Sequence, residues 1–283
     1  MRGRFLVALW VFLVGGSSAR AATDIQPPFV TVTAEKTVET VTVTNDRGVA
    51  AGYEIEALGW EQKADGEVLL PATDGIRVEP ASLDIAPHGR AEIRVTTVAP
   101  PPKEGEAEKV YRIRIRERPD RPREDSEQQI QMIATVTLPV FQVPPRAAPQ
   151  ARLEAGPLGK GRLSLAVVND GTAHTYVREV TMTGQDAKGN TVFSINRNGW
   201  YVLAHGRLEF AAALSARDCR RSSTLAMTAH PLEGDEVWST TITPDHRQCG
   251  RGKDTEFSIP GMVRLPAKLG PARAPPLSPP TMP

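Results

Sequence analysis

Short segments in which apolar side chains occupy every second position recur along the chain, separated by turn-forming residues. This alternation is typical of β-strands with one buried face, because successive side chains of a strand point to opposite sides. Clear examples span residues 38–43, 53–57 and 110–116. No segment shows a long 3.6-residue period, and 25 prolines and 23 glycines favour turns over long helices. The sequence therefore predicts an all-β fold.

The strand predicted at 110–116 carries a row of arginines on one face. Ile113 and Ile115 are expected to point into a core, and Arg112, Arg114 and Arg116 to point to water. We interpret this row as a solvated strand face. A basic docking stripe is the alternative.

The first 21 residues have the features of a secretion signal. Arg2 and Arg4 precede an apolar run over 5–14, and Ala19-Arg20-Ala21 fits a small-residue cleavage site. We expect a mature chain that begins at Ala22, whose net charge changes from +1 to −2 because three arginines are lost. That balance predicts no nucleic-acid partner. No later segment approaches the roughly 20 apolar residues of a transmembrane helix, so we expect no membrane insertion of the mature protein.

The mature chain reads as two similar halves joined by a proline-rich connection. The segment 41–46 is echoed at 165–170, and 88–93 is echoed at 205–210, in the same order and at nearly the same offset. These echoes predict two equivalent immunoglobulin-like β-sandwiches in tandem. The expected divisions are a signal peptide at 1–21, an N-terminal immunoglobulin-like domain at 22–143, a linker at 144–150, a C-terminal immunoglobulin-like domain at 151–265 and a proline-rich disordered tail at 266–283.

Cys219 and Cys249 are the only cysteines, and in an exported protein they favour a disulfide. A metal site is the alternative, because His246 and Cys249 are spaced H-x-x-C and His230 could be a further ligand. A structural zinc site normally shows two closely spaced ligand pairs, and this chain shows one. The sequence therefore predicts a disulfide and no metal.

Motifs that carry catalysis are absent from the sequence. None of the five histidines is paired with a nucleophile in a motif, and there is no G-x-S-x-G, H-E-x-x-H, glycine-rich phosphate loop or Walker lysine. An exported hydrolase would also need a further domain, for which two sandwiches leave no room. We therefore expect neither an enzyme nor a cofactor.

A charged loop at 120–127 leads into a long alternating strand that ends near Pro139. The apolar residues of this strand share one face by the two-residue period. They are Ile130, Met132, Ala134, Val136 and Leu138. One interpretation is an ordinary last strand that faces its own core. The early half, however, follows a hydrophilic loop that offers little core to cover it.

On these features the chain resembles the PapD-like periplasmic pilus chaperones, and more closely their divergent archaic-type branch. The matching segments are the strand ending at Asn45, 53–62, 78–95, the prolines 100–102, 111–119, 138–141 and 199–203. The resemblance implies a periplasmic chaperone with pilus or fimbrial subunits and an outer-membrane usher as partners. It also implies donor-strand complementation, in which a chaperone strand fills the unfinished sandwich of a subunit.

By position, Ile130, Met132 and Ala134 would enter the subunit, with Val136 at the border. An exported immunoglobulin-like binding or adhesin module is the alternative function, but it would need neither the charged loop nor the long alternating strand.

The resemblance also places the residues that bind a subunit's terminal carboxylate and that join the two domains. The family's two basic carboxylate-binding positions fall on Phe29 and Pro139, so Arg90 and Arg94 are the candidate replacements. Glu117 falls on a glutamate that forms an interdomain salt bridge in the family.

Overall fold

The computed structural model describes residues 23–119, 133–234 and 236–250. Within them the chain is almost entirely β-structure, with one short α-helix. The strands form two pairs of packed sheets, which is the architecture of two immunoglobulin-like β-sandwiches in tandem. The predicted fold class is confirmed. The segments predicted as signal peptide and proline-rich tail lie outside the described residues.

The first sandwich contains the strands that precede residue 143. Their bounds are β1 Thr23–Gln26, β2 Val30–Val32, β3 Val38–Asn45, β4 Ala51–Gly59, β5 Glu61–Gln62, β6 Val68–Leu69, β7 Ile76–Glu79, β8 Ser82–Ile85, β9 Arg90–Thr97, β10 Lys109–Glu117 and β11 Thr135–Gln142. One sheet has the order β1-β3-β9-β7 and the other β2-β11-β10-β4-β8, while β5 and β6 form a separate hairpin. Neighbouring strands are antiparallel except β2 and β11, which run parallel.

The core of the first sandwich follows the predicted alternation. Val41 and Val43 of β3 are fully buried, and so is Ile93 of β9 in the same sheet. Ile113 and Ile115 of β10 face them from the other sheet and belong to the same apolar cluster. Burial of such side chains contributes roughly 1.5–3 kcal/mol each, which makes this face the main source of the sandwich's stability.

β10 departs from the prediction at one residue. Arg116 is exposed as expected, but Arg112 is only 3% exposed, so the expectation that it points to water is wrong. The two-residue period correctly assigns Arg112 to the outer face of its sheet. That face is covered here, because aromatic rings of Trp200 and Tyr201 from the second sandwich lie within 6 Å of the guanidinium.

The second sandwich contains the strands that follow residue 150. Their bounds are β12 Ala151–Ala155, β13 Arg162–Asn169, β14 Thr175–Gln185, β15 Thr191–Asn198, β16 Tyr201–Val202, β17 Arg207–Ala213, β18 Thr224–Pro231 and β19 Trp238–Ile242. The sheets have the orders β12-β13-β17 and β15-β14-β18-β19, with β16 paired to the start of β14. Helix α1, Ala216–Arg221, connects β17 to β18 and begins at the N-cap Ser215. No helix among the described residues is long and apolar enough to cross a membrane.

The two sandwiches share one local device at the positions where the sequence repeats. Asn45 and Asn169 end equivalent strands and are fully buried. The side-chain amide of each donates hydrogen bonds to three backbone carbonyls. The backbone N–H of each donates to the glycine that follows a left-handed histidine, His88 (φ 56°) or His205 (φ 55°). The predicted equivalence of the two repeated segments is confirmed.

Candidate functional site

The apolar face of β11 extends beyond the core that covers it. Leu138 and Val140 share this face and are buried in the first core, at 3% and 0% exposure. Val136 and Ala134 come earlier on the same face and are exposed, Val136 at 41%. Ala134 and Val136 are therefore available to another molecule.

β11 also has an open backbone edge over the same residues. In an antiparallel pair, alternate residues direct their N–H and C=O groups towards the partner strand and away from it. The N–H of Glu117 in β10 donates to the carbonyl of Ala134 (2.9 Å). Even-numbered residues of β11 therefore direct their backbone N–H and C=O groups towards β10, and odd-numbered residues direct theirs away from it. On that side β2 pairs only with Val140–Gln142. No strand among the described residues pairs there with residues 135–139, and such an edge can accept an additional strand.

Two of the four residues predicted for the subunit-binding strand can be located. Ala134 and Val136 lie together on the exposed part of this face. Ile130 and Met132 lie outside the described residues, and the role of all four stays a prediction.

Arg90 and Arg94 lie away from the open edge. Both are exposed residues of β9, in the sheet opposite the one that contains β11. Ile93 and Val95 of the same strand fill the core, so both arginines point outward from the far side of the sandwich. The structure does not bring these candidates together with Ala134 and Val136.

The two positions where the family resemblance places basic residues meet at the closed end of the open edge. β2 starts pairing with β11 at Val140, directly after Pro139. Phe29 directly precedes β2, is 48% exposed and makes an edge-to-face contact with Phe141. Neither Phe29 nor Pro139 carries a charge.

A basic residue that the sequence did not single out as a site residue, Arg112, lies beside these two positions. In the register of β10 and β11 it lies opposite Pro139, and residues opposite one another share a face. Its Cζ lies 3.6 Å from the ring centroid of Trp60, and its Nη1 makes a long contact of 3.5 Å with the carbonyl oxygen of Thr137. The pairing of Arg112 with Pro139 could have revealed this residue, but the alternation within a single strand does not give the register between two strands.

The Arg112 guanidinium has no acidic partner among the described residues. Its Nε and Nη2 are buried and make no hydrogen bond there. Burial lowers the pKa of Arg112 to about 10, and the electrostatic influence of Tyr201 acts in the opposite direction. Arg112 therefore keeps its charge at neutral pH, and a buried cation without a counter-ion strongly favours binding of an anion.

Glu117 does not link the two sandwiches, and that prediction is wrong. Its carboxylate pairs with Arg47 of the first sandwich, at 2.6 Å between Oε1 and Nη2. The interdomain carboxylate is Glu108, just before the opposite end of β10. Its side chain is fully buried, accepts a hydrogen bond from the backbone N–H of His174 (2.6 Å) and lies 2.9 Å from that residue's Nδ1.

Aromatic side chains fill the junction between the sandwiches around Arg112. The ring of Phe141 stacks on His174, with centroids 3.7 Å apart. Tyr201 makes an edge-to-face contact with Trp60 at 5.2 Å. The side-chain amide of Gln62 in β5 donates to the carbonyl of Tyr201 (2.7 Å). These contacts come from both sandwiches and place residues 200 and 201 beside the outer face of β10.

The predicted disulfide between Cys219 and Cys249 is present, with 5.6 Å between the Cα atoms. It ties α1 to the segment that follows β19. Because both sulfur atoms are bonded to each other, the alternative in which they bind a metal is wrong. The ring of His246 instead contacts the carbonyl oxygen of Ser222, 2.9 Å from Nε2.

No protein-family model and no curated protein sequence matches the chain. Solved structures do match it. One is a chain of the CsuC–CsuE chaperone–tip adhesion subunit pre-assembly complex from archaic chaperone-usher Csu pili of Acinetobacter baumannii, with a TM-score of 0.54 and 17% identity over 79% of this chain and 99% of that one. Another is a chain of the Salmonella enterica SafA pilin–SafB chaperone complex, with a TM-score of 0.53 and 11% identity over 80% of this chain and 99% of that one. A third is the Pseudomonas aeruginosa CupB2 chaperone, with a TM-score of 0.50 and 14% identity over 78% of this chain and 100% of that one.

The chain shares its two-sandwich fold with these solved structures. At identities of 11–17% the likeness concerns the fold, and it covers both sandwiches.

Proposed function

We propose that this chain is a periplasmic chaperone that binds pilus or fimbrial subunits by donor-strand complementation and passes them to an outer-membrane usher. The observation that carries the proposal is the exposed apolar row of β11, which runs along an open backbone edge. The shared fold supports it, since solved structures with this fold include complexes with a pilin and with a tip adhesion subunit.

In this proposal a subunit strand pairs with the outward-facing backbone groups of β11. Ile130, Met132 and Ala134 enter the subunit's apolar groove, and Val136 lies at its border. Full burial of an isoleucine or methionine side chain contributes roughly 1.5–3 kcal/mol before ordering is subtracted. The added strand must end near Pro139, because proline has no N–H to donate and β2 occupies the edge from Val140 onward.

We further propose that Arg112, rather than Arg90 or Arg94, binds the carboxylate at the end of that subunit strand. Arg112 lies opposite Pro139, where the open edge ends, and it holds a buried positive charge without an acidic partner among the described residues. A guanidinium binds a carboxylate through charge-assisted hydrogen bonds, which are stronger than neutral ones.

The test compares two aspartates placed on opposite faces of the same edge. The tagged chain is co-expressed with the small exported proteins encoded beside its gene, and the complex is purified from the periplasm. Val136→Asp should lower recovery of the complex at least tenfold, because a carboxylate at the border of the apolar groove loses hydration without gaining a partner, and about 1.4 kcal/mol is tenfold in affinity.

Thr135→Asp is the matched control for this test. Thr135 is exposed on the same strand but points to the other face, so the variant should recover the complex as the unaltered chain does. Equal recovery with both variants would show that this face of β11 does not enter a subunit.

A further inference from the structure

The proposed carboxylate site is closed by the second sandwich. Two of the three aromatic rings around the Arg112 guanidinium belong to that sandwich, with centroids 5.8 Å away for Trp200 and 5.6 Å for Tyr201. The third belongs to Trp60 of the first sandwich. With Nε and Nη2 buried, a carboxylate cannot reach these donors unless a covering ring moves.

The segment that carries the cover contacts both sandwiches. Tyr201 begins β16, which has only two residues and pairs with the first residues of β14. Across the junction, the side-chain amide of Gln62 donates to the Tyr201 carbonyl and its Oε1 lies 3.5 Å from the backbone N of Leu203, while the ring of Tyr201 contacts Trp60 and Phe141. Val202 is fully buried in the second core and its carbonyl accepts from Asn169, so β16 stays with the second sandwich and opening is a movement of the Trp200 and Tyr201 side chains.

We propose that Trp200 and Tyr201 form a lid that covers Arg112 in the free protein and moves aside when a carboxylate binds, with Gln62 as the latch. The lid is an autoinhibitory contact, because the apparent affinity for the carboxylate is reduced by the fraction of molecules that are open. The inference depends on the proposed function only in naming the bound group as a subunit carboxylate.

The test measures how accessible Arg112 is, without any subunit. Phenylglyoxal, a dicarbonyl that modifies accessible guanidinium groups, is added to the full chain, and modified arginines are quantified by peptide mass mapping. Arg116 is exposed on the same strand and serves as the internal reference in every sample. In the unaltered chain Arg112 should react much more slowly than Arg116.

Two variants open the lid in different ways. Gln62→Ala removes the latch but keeps all three rings. It should raise the rate of phenylglyoxal modification at Arg112 about fivefold, because the lost hydrogen bond to the Tyr201 carbonyl no longer favours the closed lid. Tyr201→Ala removes the ring itself and should raise the rate further. Tyr201→Phe keeps the ring and should react as the unaltered chain does.

The result that overturns the lid is an Arg112 that reacts as fast as Arg116 in the unaltered chain, or an unchanged rate in Gln62→Ala. Thermal unfolding of each variant checks that it is folded, and Gln62→Ala decides the matter if Tyr201→Ala does not fold. Because no subunit takes part, a negative result leaves the proposed function to be judged by the Val136 experiment.

Discussion

Replacement of Arg112 by methionine should stabilise the protein while it abolishes subunit capture. The lowering of the Arg112 pKa to about 10 corresponds to about 3 kcal/mol by which the folded state disfavours the charged form. Stacking on Trp60 offsets up to about 2 kcal/mol of this. A methionine fills a similar space, contacts aromatic rings well and carries no charge. The free energy of unfolding should therefore rise by about 1 kcal/mol.

The sign of this effect is set by the direction of the pKa change. Folding lowers the pKa of a cationic group, so the penalty is fully present below pH 10 or so and is relieved as the pH rises above that value. Urea unfolding at pH 7 therefore measures the whole effect. Arg114→Met is the matched control: Arg114 is on the same strand, but its side chain is 35% exposed and paired with Glu56, so the change should stay within about 0.5 kcal/mol.

Two results would refute this reasoning. A loss of 3–5 kcal/mol in Arg112→Met is the effect expected when one partner of a buried ion pair is removed, and it would mean that the charge is already compensated. Undiminished subunit capture by a folded Arg112→Met variant would remove Arg112 from the binding site.

Two further predictions concern the contacts that hold the second sandwich and the junction. Replacing both Cys219 and Cys249 by alanine should lower the free energy of unfolding by about 3–4 kcal/mol, because the disulfide spans a sequence separation of 30. Thiol titration of the unfolded, unreduced protein should find no free thiol, and two free thiols would contradict the disulfide. Glu108→Ala leaves the backbone N–H of His174 without its acceptor and should cost about 1–3 kcal/mol in urea unfolding, with a smaller loss for Glu108→Gln. Equal stability of Glu108→Ala and the unaltered chain would show that this contact does not stabilise the junction.

Much of the fold could be predicted because its determinants lie within short segments. Alternation assigned Ile113 and Ile115 to the core, since the two-residue period is a local property of a strand. The equivalent turns at Asn45 and Asn169 were visible as repeated segments. The disulfide followed from there being two cysteines in a chain that the sequence predicts to be exported.

What the sequence could not decide is which exposed faces are covered by parts of the chain far away. Arg112 reads as a solvated arginine, and only the approach of the second sandwich buries it. Alternation places Val136 on the same face as Leu138, and only the end of the first core leaves Val136 exposed. Glu117 reads as an interdomain residue, yet Arg47 in its own sandwich takes its charge. Which residues share a face can be read from the chain, because that depends on neighbours along the strand. What each face contacts depends on distant segments that only folding brings together.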